Sequence, residues 1–561
     1  MAWIDWIVLG VTLATIVGYG TWKTRKNTGL SGYLKGDNEM KWATIGLSIM
    51  ATQASAITFL STPGKAYESG MGFLQFYIGL PIATILLSVF VLPRYYKLKV
   101  YTAYEYLESR FDLKTRMFTA FLFLVQRGLA AGITIYAPAI VLSTVLGWNL
   151  DYMNILVGVL VIIYTVSGGT RAVSLTQKWQ MAVIMIGMFI AFGLIVSGLP
   201  EELSFGQAVN IAGEMGKMEL INFNIDLESR YTIWSGLFGG VFLFLSYFGT
   251  DQSQVQRYLS GKSLRESRMG LMMNGMLKIP MQFFILFVGV MVFVFYQFEK
   301  PPVFFNNAAR DAAMQTEYKE ELLGLEQQYD VVWEQKNTLQ LQYAESGQTD
   351  FEAIRALEHQ GDSLRNIYKE TIQLAGPQFE TKDYDYIFIS WVLDYLPAGL
   401  VGLLIAVILS AAMSSTAGEL NALASTTVVD FYKRSIYPDG SDTHYVRAGR
   451  MFTVFWGVLA LLFALYASLF ENLIEAVNLL GSLFYGSILG VFAVAFFVKY
   501  VKANAVFISA LFSQLLVLLI YLFQGDEIGF LWYNFFGCTL VVTTSIIVQA
   551  VLPNNPKRTN K

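Results

Sequence analysis

Cysteine and histidine are almost absent from this chain: Cys538 is its one thiol, and His359 and His444 are its two imidazoles. One cysteine excludes an internal disulfide, and so few Cys and His residues exclude a conventional Cys/His zinc site. Cys538 sits in an apolar run, where it reads as a small buried hydrophobe. Charge is scarce as well. Asp, Glu, Lys and Arg make up 14% of the residues and sum to −3, against about a quarter charged in soluble domains. There is no basic excess to suggest nucleic acid. No GxxxxGK[ST] pattern offers a phosphate cradle, which argues against an ATP-driven pump.

Apolar sequence is abundant instead: 55% of the residues are hydrophobic, 15% are aromatic, and the mean hydropathy is +0.48. Crossing a bilayer takes about 20 apolar residues. Runs of that size recur at 3–22, 42–61, 71–93, 117–147, 153–168, 179–199, 232–256, 269–297, 388–430, 450–469, 473–499, 503–523 and 529–552. They predict an all-α polytopic membrane protein with about 13 transmembrane helices, lying in the lipid bilayer of the cell membrane. The first run carries Asp5, lacks a basic leader and is followed by Lys23, Arg25 and Lys26, so it reads as a retained span rather than a signal peptide. Basic residues then fall on alternate connections, among them Lys23 to Lys41, Arg94 to Arg116, Arg257 to Arg268 and Lys433 to Arg450. Short Lys/Arg-rich loops stay in the cytoplasm. The expected topology is therefore N-terminus outside and C-terminus cytoplasmic.

One stretch breaks the apolar pattern. Residues 298–387 are rich in Lys and Glu, with apolar residues at helical spacing on either side of Gly347, which predicts an extracellular helical hairpin. It reads either as an arm for a protein partner or as a solvated insertion or self-packed lid.

An ion site inside a bilayer needs oxygens, and backbone carbonyls become free where a helix is interrupted beside a cavity. Two spans invite interruption. One reads GLSIMATQASAITFLSTPG and ends at Pro63-Gly64; the other, GGVFLFLSYFGTDQSQVQR, holds Gly249 and Asp251 within apolar sequence. With the first helix peripheral, these become the first and sixth helices of a ten-helix core, positions that correspond across an inverted repeat. A third segment, AVILSAAMSSTAGELNALAS, puts Ala411, Ser414 and Ser415 on one helix face, a spacing that serves either a cation or close helix packing.

The motifs SAITFLSTPGKAYESG, TAYEYLESRF, IYAPAIVL, YTVSGGTRAV, FGTDQSQVQRYLS and AAMSSTAGELNALAS resemble the sodium/solute symporter family over nearly the whole chain apart from the hairpin. TAYEYLESRF, IYAP and QVQRY are closer to its iodide, monocarboxylate and multivitamin branch than to its sugar branch. The resemblance implies a leucine-transporter-like fold of two inverted five-helix repeats. It divides the chain into a peripheral helix and cytoplasmic loop (1–38), the first repeat and start of the second (39–297), the insertion (298–387), the rest of the second repeat (388–499), and peripheral C-terminal helices with a cytoplasmic tail (500–561).

The same resemblance implies Na+ as the coupling ion, held at Ala51, Ala54, Ala411, Ser414 and Ser415, and an inner tyrosine gate at Tyr247. Where sugar carriers have an amide and a carboxylate, this chain has Phe244 and Ile78 or a neighbour, and Thr58 replaces a glutamine. A hydroxyl-rich sugar needs several paired polar groups, so the pattern argues against a hexose. Ser55, Thr58, Gln75, Tyr77 and Tyr136 are further candidates for the solute cavity, as is Arg127, which reads as a carboxylate fork or as one half of a buried ion pair. Many relatives have Thr-Asp where this chain reads Thr176-Gln177-Lys178. Glu419, one turn beyond Ser415, is the candidate for the missing negative charge on a sodium exit route, held by Lys178 or Arg127. The expectation is sodium-coupled symport of a small solute, an organic anion, without enzymatic chemistry. A sugar or polyol symporter is the alternative within the class, and a solute-binding membrane sensor or scaffold without turnover is the alternative outside it.

Overall fold

The structure, a computed structural model, describes residues 2–24, 40–376, 379–466, 473–525 and 527–552. Among these the secondary structure is helical. In chain order the helices are α1 (Trp3–Thr24), α2 (Trp42–Gln53), α3 (Ala56–Ser69), α4 (Gly79–Leu86), α5 (Leu92–Leu98), α6 (Glu105–Arg110), α7 (Leu113–Leu146), α8 (Leu150–Ser197), α9 (Phe205–Glu214), α10 (Val241–Gly249), α11 (Gln252–Leu259), α12 (Leu264–Phe298) and α13 (Asn307–Ala313). The insertion contributes α14 (Lys319–Ser346) and α15 (Phe351–Ala375), followed by α16 (Ile387–Tyr395), α17 (Leu400–Thr426), α18 (Asp442–Ala464), α19 (Leu473–Phe497), α20 (Ala503–Gln524) and α21 (Trp532–Val551).

Nine helical stretches among the described residues are long and apolar enough to cross a membrane, and Trp3–Thr15, Leu150–Ile163 and Ser235–Gly249 are shorter apolar helices. The spans differ in what they face. In α7, the stretch containing α17, and α19, 78%, 78% and 83% of the most apolar window is buried in protein, against 28% in α18 and 33% in α20 and α21. The first group forms the interior. The second presents its apolar side chains outward, as lipid-facing helices do.

Several boundaries depart from the hydropathy reading. The runs at 153–168 and 179–199 share the single helical run α8, because no proline between them removes a backbone donor. The run at 388–430 is cut into α16 and α17 by Pro397 and by Gly399, whose φ of 93° suits glycine. The helix expected to end at Pro63-Gly64 continues to Ser69 and stops where Gly70 adopts φ 72°. Asp5 helps to hold the bundle together, because its Oδ1 accepts from the Gly402 backbone N–H at 3.1 Å and so lets α1 cap the N-terminus of α17.

The hairpin forms at the predicted place. α14 ends at Gly347 with φ 70°, and the Asp350 carboxylate caps α15 by accepting from the N–H groups of Glu352 and Ala353. Both helices carry apolar faces onto a small core of their own, in which Phe304, Leu322, Tyr329, Tyr368 and Ile372 are buried.

Candidate functional site

Both expected interruptions are present. α2 stops at Gln53, Ala54 and Ser55 take non-helical dihedrals, and α3 begins at Ala56. α10 stops at Gly249 and α11 begins at Gln252, with Asp251 capping it through an Oδ1 that accepts from Ser253 N–H at 2.8 Å and Ser253 Oγ at 2.6 Å. α17 packs against α2, α3 and α11. The approach to α2 is close, since a Cβ on Gly418 would lie 4.0 Å from Thr52 Cγ2.

Ala51, Ala54, Ala411, Ser414 and Ser415 are all buried on these three elements. Ser415 Oγ donates to the carbonyls of Ala411 and Ala412, each at 3.1 Å. Ser414 Oγ, 1% exposed, has no hydrogen-bond partner among the described residues. A buried hydroxyl left unpaired costs about 1–3 kcal/mol, so this one calls for a ligand. Carbonyl and hydroxyl oxygens at a helix break are the donor set a hard monovalent cation takes, and the site fits Na+ on that ground.

Beside the break lies a cavity of about 80 Å³. At about 10–15 Å³ per water-sized group, it holds roughly half a dozen such groups. Ser55, Thr58, Tyr77, Arg127, Phe244, Tyr247 and Glu419 line it, joined by Phe76, Asn478 and Tyr485. The rings of Phe76, Tyr77 and Phe244 form one aromatic wall, with centroids 4.8 Å (Phe76–Phe244) and 5.7 Å (Tyr77–Phe244) apart. Gln254 donates to the Tyr247 hydroxyl at 2.6 Å.

Two candidates lie outside this lining. Gln75 accepts from Asn222 N–H at 2.8 Å and donates to the Tyr231 carbonyl at 3.2 Å, which turns its amide to the loop before α10. Tyr136 donates to the Glu380 carboxylate at 3.1 Å, at the end of the insertion. The side chain of Lys178 lies outside the described residues. Its neighbour Gln177 accepts from Ser48 Oγ at 2.6 Å and donates to Thr52 Oγ1 at 3.0 Å, a neutral amide tying α8 to α2.

Arg127 faces the cavity and has four of its five N–H donors engaged. Its guanidinium donates to Asp251 Oδ2 through Nε at 3.1 Å and also through Nη2, and to Glu419 Oε1 at 3.1 Å and Tyr485 Oη at 2.6 Å. Tyr485 in turn donates to Asp251 at 2.7 Å, and Thr134 donates to Glu419 Oε2 at 2.9 Å. One guanidinium meets two carboxylates, so with all three groups ionised the cluster has one net negative charge. Glu419 stands one turn along α17 from Ser415. The arrangement offers compensation to a cation and leaves Arg127 no free fork for a solute carboxylate.

Lys278 is the residue that sequence reading missed. It is completely buried on α12, its Nζ has no hydrogen-bond partner among the described residues, and it stands 5.7 Å from the centre of the Tyr77 ring. A charged residue within an apolar span was the available signal. Asp251 was noticed as a helix interruption, but its pairing with Arg127 bridges residues far apart in the chain.

An all-α membrane protein with two interrupted helices around a small cavity has the architecture of a leucine-transporter-like carrier. Over 98% of both chains it matches the substrate-bound outward-open state of a Na+-coupled sialic acid symporter, with a TM-score of 0.75 and 23% identity, which shows the fold. The profile of the sodium:solute symporter family matches residues 33–319 and 365–513. The chain belongs to that family, a family of transporters and not of enzymes. It is 31% identical over 300 residues to the human sodium/iodide cotransporter, an alignment covering 53% of this chain and 46% of that protein. It is 25% identical over 505 residues to mouse sodium-coupled monocarboxylate transporter 2, covering 89% of this chain and 69% of that one.

Proposed function

We propose that the protein is a sodium-coupled symporter that carries a small organic anion into the cell by alternating access. The observation that carries the anion reading is Lys278, a wholly buried lysine whose Nζ has no hydrogen-bond partner among the described residues and which stands behind the Tyr77 ring of the cavity wall, outside the lining itself. A buried amine of this kind carries a charge only when something pairs with it, and an anionic solute that reaches it past Tyr77 as the bundle moves supplies the pair. The apolar lining at Phe244 and the size of the cavity favour a compact solute over a hexose. Sodium binds at the break between α2 and α3, against Ala51, Ala54, Ala411, Ser414 and Ser415. The negative cluster at Glu419 offsets its charge and stands on its way out. Binding of both ligands stabilises one arrangement of the helix bundle, and release follows when the bundle rocks.

The alternating basic connections support an N-terminus outside, a C-terminus in the cytoplasm and an insertion on the outer face. The core that the insertion buries by itself supports a self-packed lid rather than a protein-binding arm, with 39–297 and 388–499 forming the carrier proper.

The test is thermal stability of the purified protein against monocarboxylates, vitamins, iodide and neutral sugars, each in sodium and in choline, followed by uptake of any hit into proteoliposomes. Ligands that bind the folded state raise its stability by mass action. Stabilisation by an anion only in sodium, with gradient-driven accumulation, is the expected result. A response to neutral sugars alone overturns the anion assignment, equal responses in sodium and choline overturn sodium coupling, and binding without accumulation points to a sensor.

A further inference from the structure

The family profile leaves residues 320–364 unmatched, and those residues build most of α14 and α15. Between these helices and the carrier lies a second cavity of about 190 Å³, which shares no lining residue with the cavity beside the α2–α3 break. Its floor is family sequence: Tyr67 and Glu68 at the end of α3, and Phe293 and Tyr296 on α12. Its roof is the insertion, pinned down where Trp333 Nε1 donates to the Tyr296 carbonyl at 3.2 Å and Asn337 to the Gln297 carbonyl at 3.0 Å.

The lining is aromatic and carries charges of both signs. Some of these are already paired, Lys336 with Glu358 at 2.6 Å and Lys369 with Asp383, outside the lining, at 2.7 Å. Others are not. Lys217 donates to the Glu68 carbonyl and lies 4.6 Å from the Phe293 ring centre, with no carboxylate in ion-pair contact among the described residues. Asp362, exposed at the edge of the cavity, makes no ion pair among them either. Burial lowers the Lys217 ammonium from its ordinary value, as expected of a cation that lacks a close carboxylate. Arg365 gives one N–H to Asp383 at 2.9 Å and is also a lining residue of the cavity.

The space itself depends on a missing side chain. Gly361 lies mid-helix in α15 on the cavity wall, where glycine costs about 1 kcal/mol relative to alanine. A Cβ there would meet only Tyr329, at an ordinary 3.5 Å. Helix packing therefore does not demand glycine at this position, whereas an open cavity does.

We propose that this cavity is a second ligand site, for a small zwitterion with an apolar body, whose carboxylate meets Lys217 and Arg365 and whose ammonium meets Asp362. At about 10–15 Å³ per water-sized group, it admits a ligand of about a dozen non-hydrogen atoms. Aromatic walls with paired charges at the rim suit such a molecule better than a simple ion. An occupant touches both α3 and the insertion, so it ties the family core to the segment that this chain adds.

The test uses the purified full-length protein in choline, without sodium, so that a failure here is separate from a failure of the symport reading. The probes are phenylalanine, 3-phenylpropionate and phenethylamine, which share a body and differ in charge. Binding is read by calorimetry and by the fluorescence of Trp333, with Trp333→Phe as the control for that signal. Phenylalanine is expected to bind at least about tenfold more tightly than either singly charged probe. Asp362→Asn, a change at an exposed position, is expected to abolish its advantage over phenylpropionate, and Gly361→Leu to block all three with the melting temperature retained. No binding of phenylalanine at millimolar concentration, equal binding of the three probes, or undiminished binding in Gly361→Leu overturns the proposal.

Discussion

Ser414 and Lys278 are buried polar groups without hydrogen-bond partners among the described residues, and each makes a prediction that separates ligand binding from stability. Ser414→Ala removes a hydroxyl that bonds nothing among those residues, so the fold should lose less than about 1 kcal/mol. Half-saturating sodium for uptake should rise about tenfold or more. Unchanged sodium dependence would take Ser414 out of the ion site. Lys278→Met replaces a buried amine that lacks a hydrogen-bond partner among the described residues with an apolar chain of similar length, so stability should hold or rise while anion affinity falls sharply. Arg127 is the contrast, because Arg127→Met strands Asp251 and Glu419 together in the interior. A loss of about 3–5 kcal/mol is expected, measurable as a large fall in melting temperature. Charges in spans are legible in sequence as objects needing an explanation. Whether each is paired, as Arg127 is, or unpaired, as Lys278 is, depends on residues from other helices.

At the scale of elements, two glycines predict opposite effects. A Cβ at Gly64 on α3 would lie 2.0 Å from the Tyr384 carbonyl oxygen, so Gly64→Ala must push α3 from the 384–386 turn and should cost about 1–3 kcal/mol. Gly361→Ala meets no such obstacle and should stabilise by about 0.5–1 kcal/mol. Comparing the two melting temperatures with the parent decides both. The same turn carries a pH dependence. Burial pushes the Glu380 and Asp385 carboxyls up to about 7, in Glu380 against the opposing pull of hydrogen bonds from Tyr386 and Tyr136. An acid whose folded-state value is raised takes up protons on folding. Its stabilisation is thus present below about pH 4 and is lost as pH rises through about 7. Melting temperature should fall from pH 5 to pH 8, and Glu380→Gln with Asp385→Asn should flatten that slope. The helical hairpin, the two breaks and the small-residue helix were visible as local composition. The fusion of two apolar runs into α8 was not, because hydropathy reports where apolar residues lie and says nothing of whether backbone hydrogen bonding continues between them.

For the molecule as a whole, Glu475 at the start of α19 joins separate parts of the bundle. Its carboxylate contacts Lys65 of α3 at 3.2 Å, Arg230 at 2.6 Å and the Tyr231 hydroxyl at 3.0 Å. Alternating access requires such contacts to break and reform as helices rock. Because Cys538 is the chain's one cysteine and is buried, a cysteine introduced at Thr58, on the cavity wall, reports access directly. Thr58→Cys should react with a small maleimide severalfold faster in a Glu475→Gln background. Equal rates would show that the bridge does not hold the cavity shut.

The sequence by itself determined the apolar spans, the place of the insertion, which two spans are interrupted, and the common face of Ser415 and Glu419. All of these follow from local composition and from the fixed periodicity of a helix. Only the tertiary structure decided that Arg127 is neutralised by Asp251 and Glu419, that Gln75 and Tyr136 serve the loop side rather than the cavity, and that Lys278 is left without a partner among the described residues. The physical reason is that in a low-dielectric interior the state of a charged or polar group is set by whatever lies within hydrogen-bonding distance. In this bundle those neighbours come from helices that are remote in the chain.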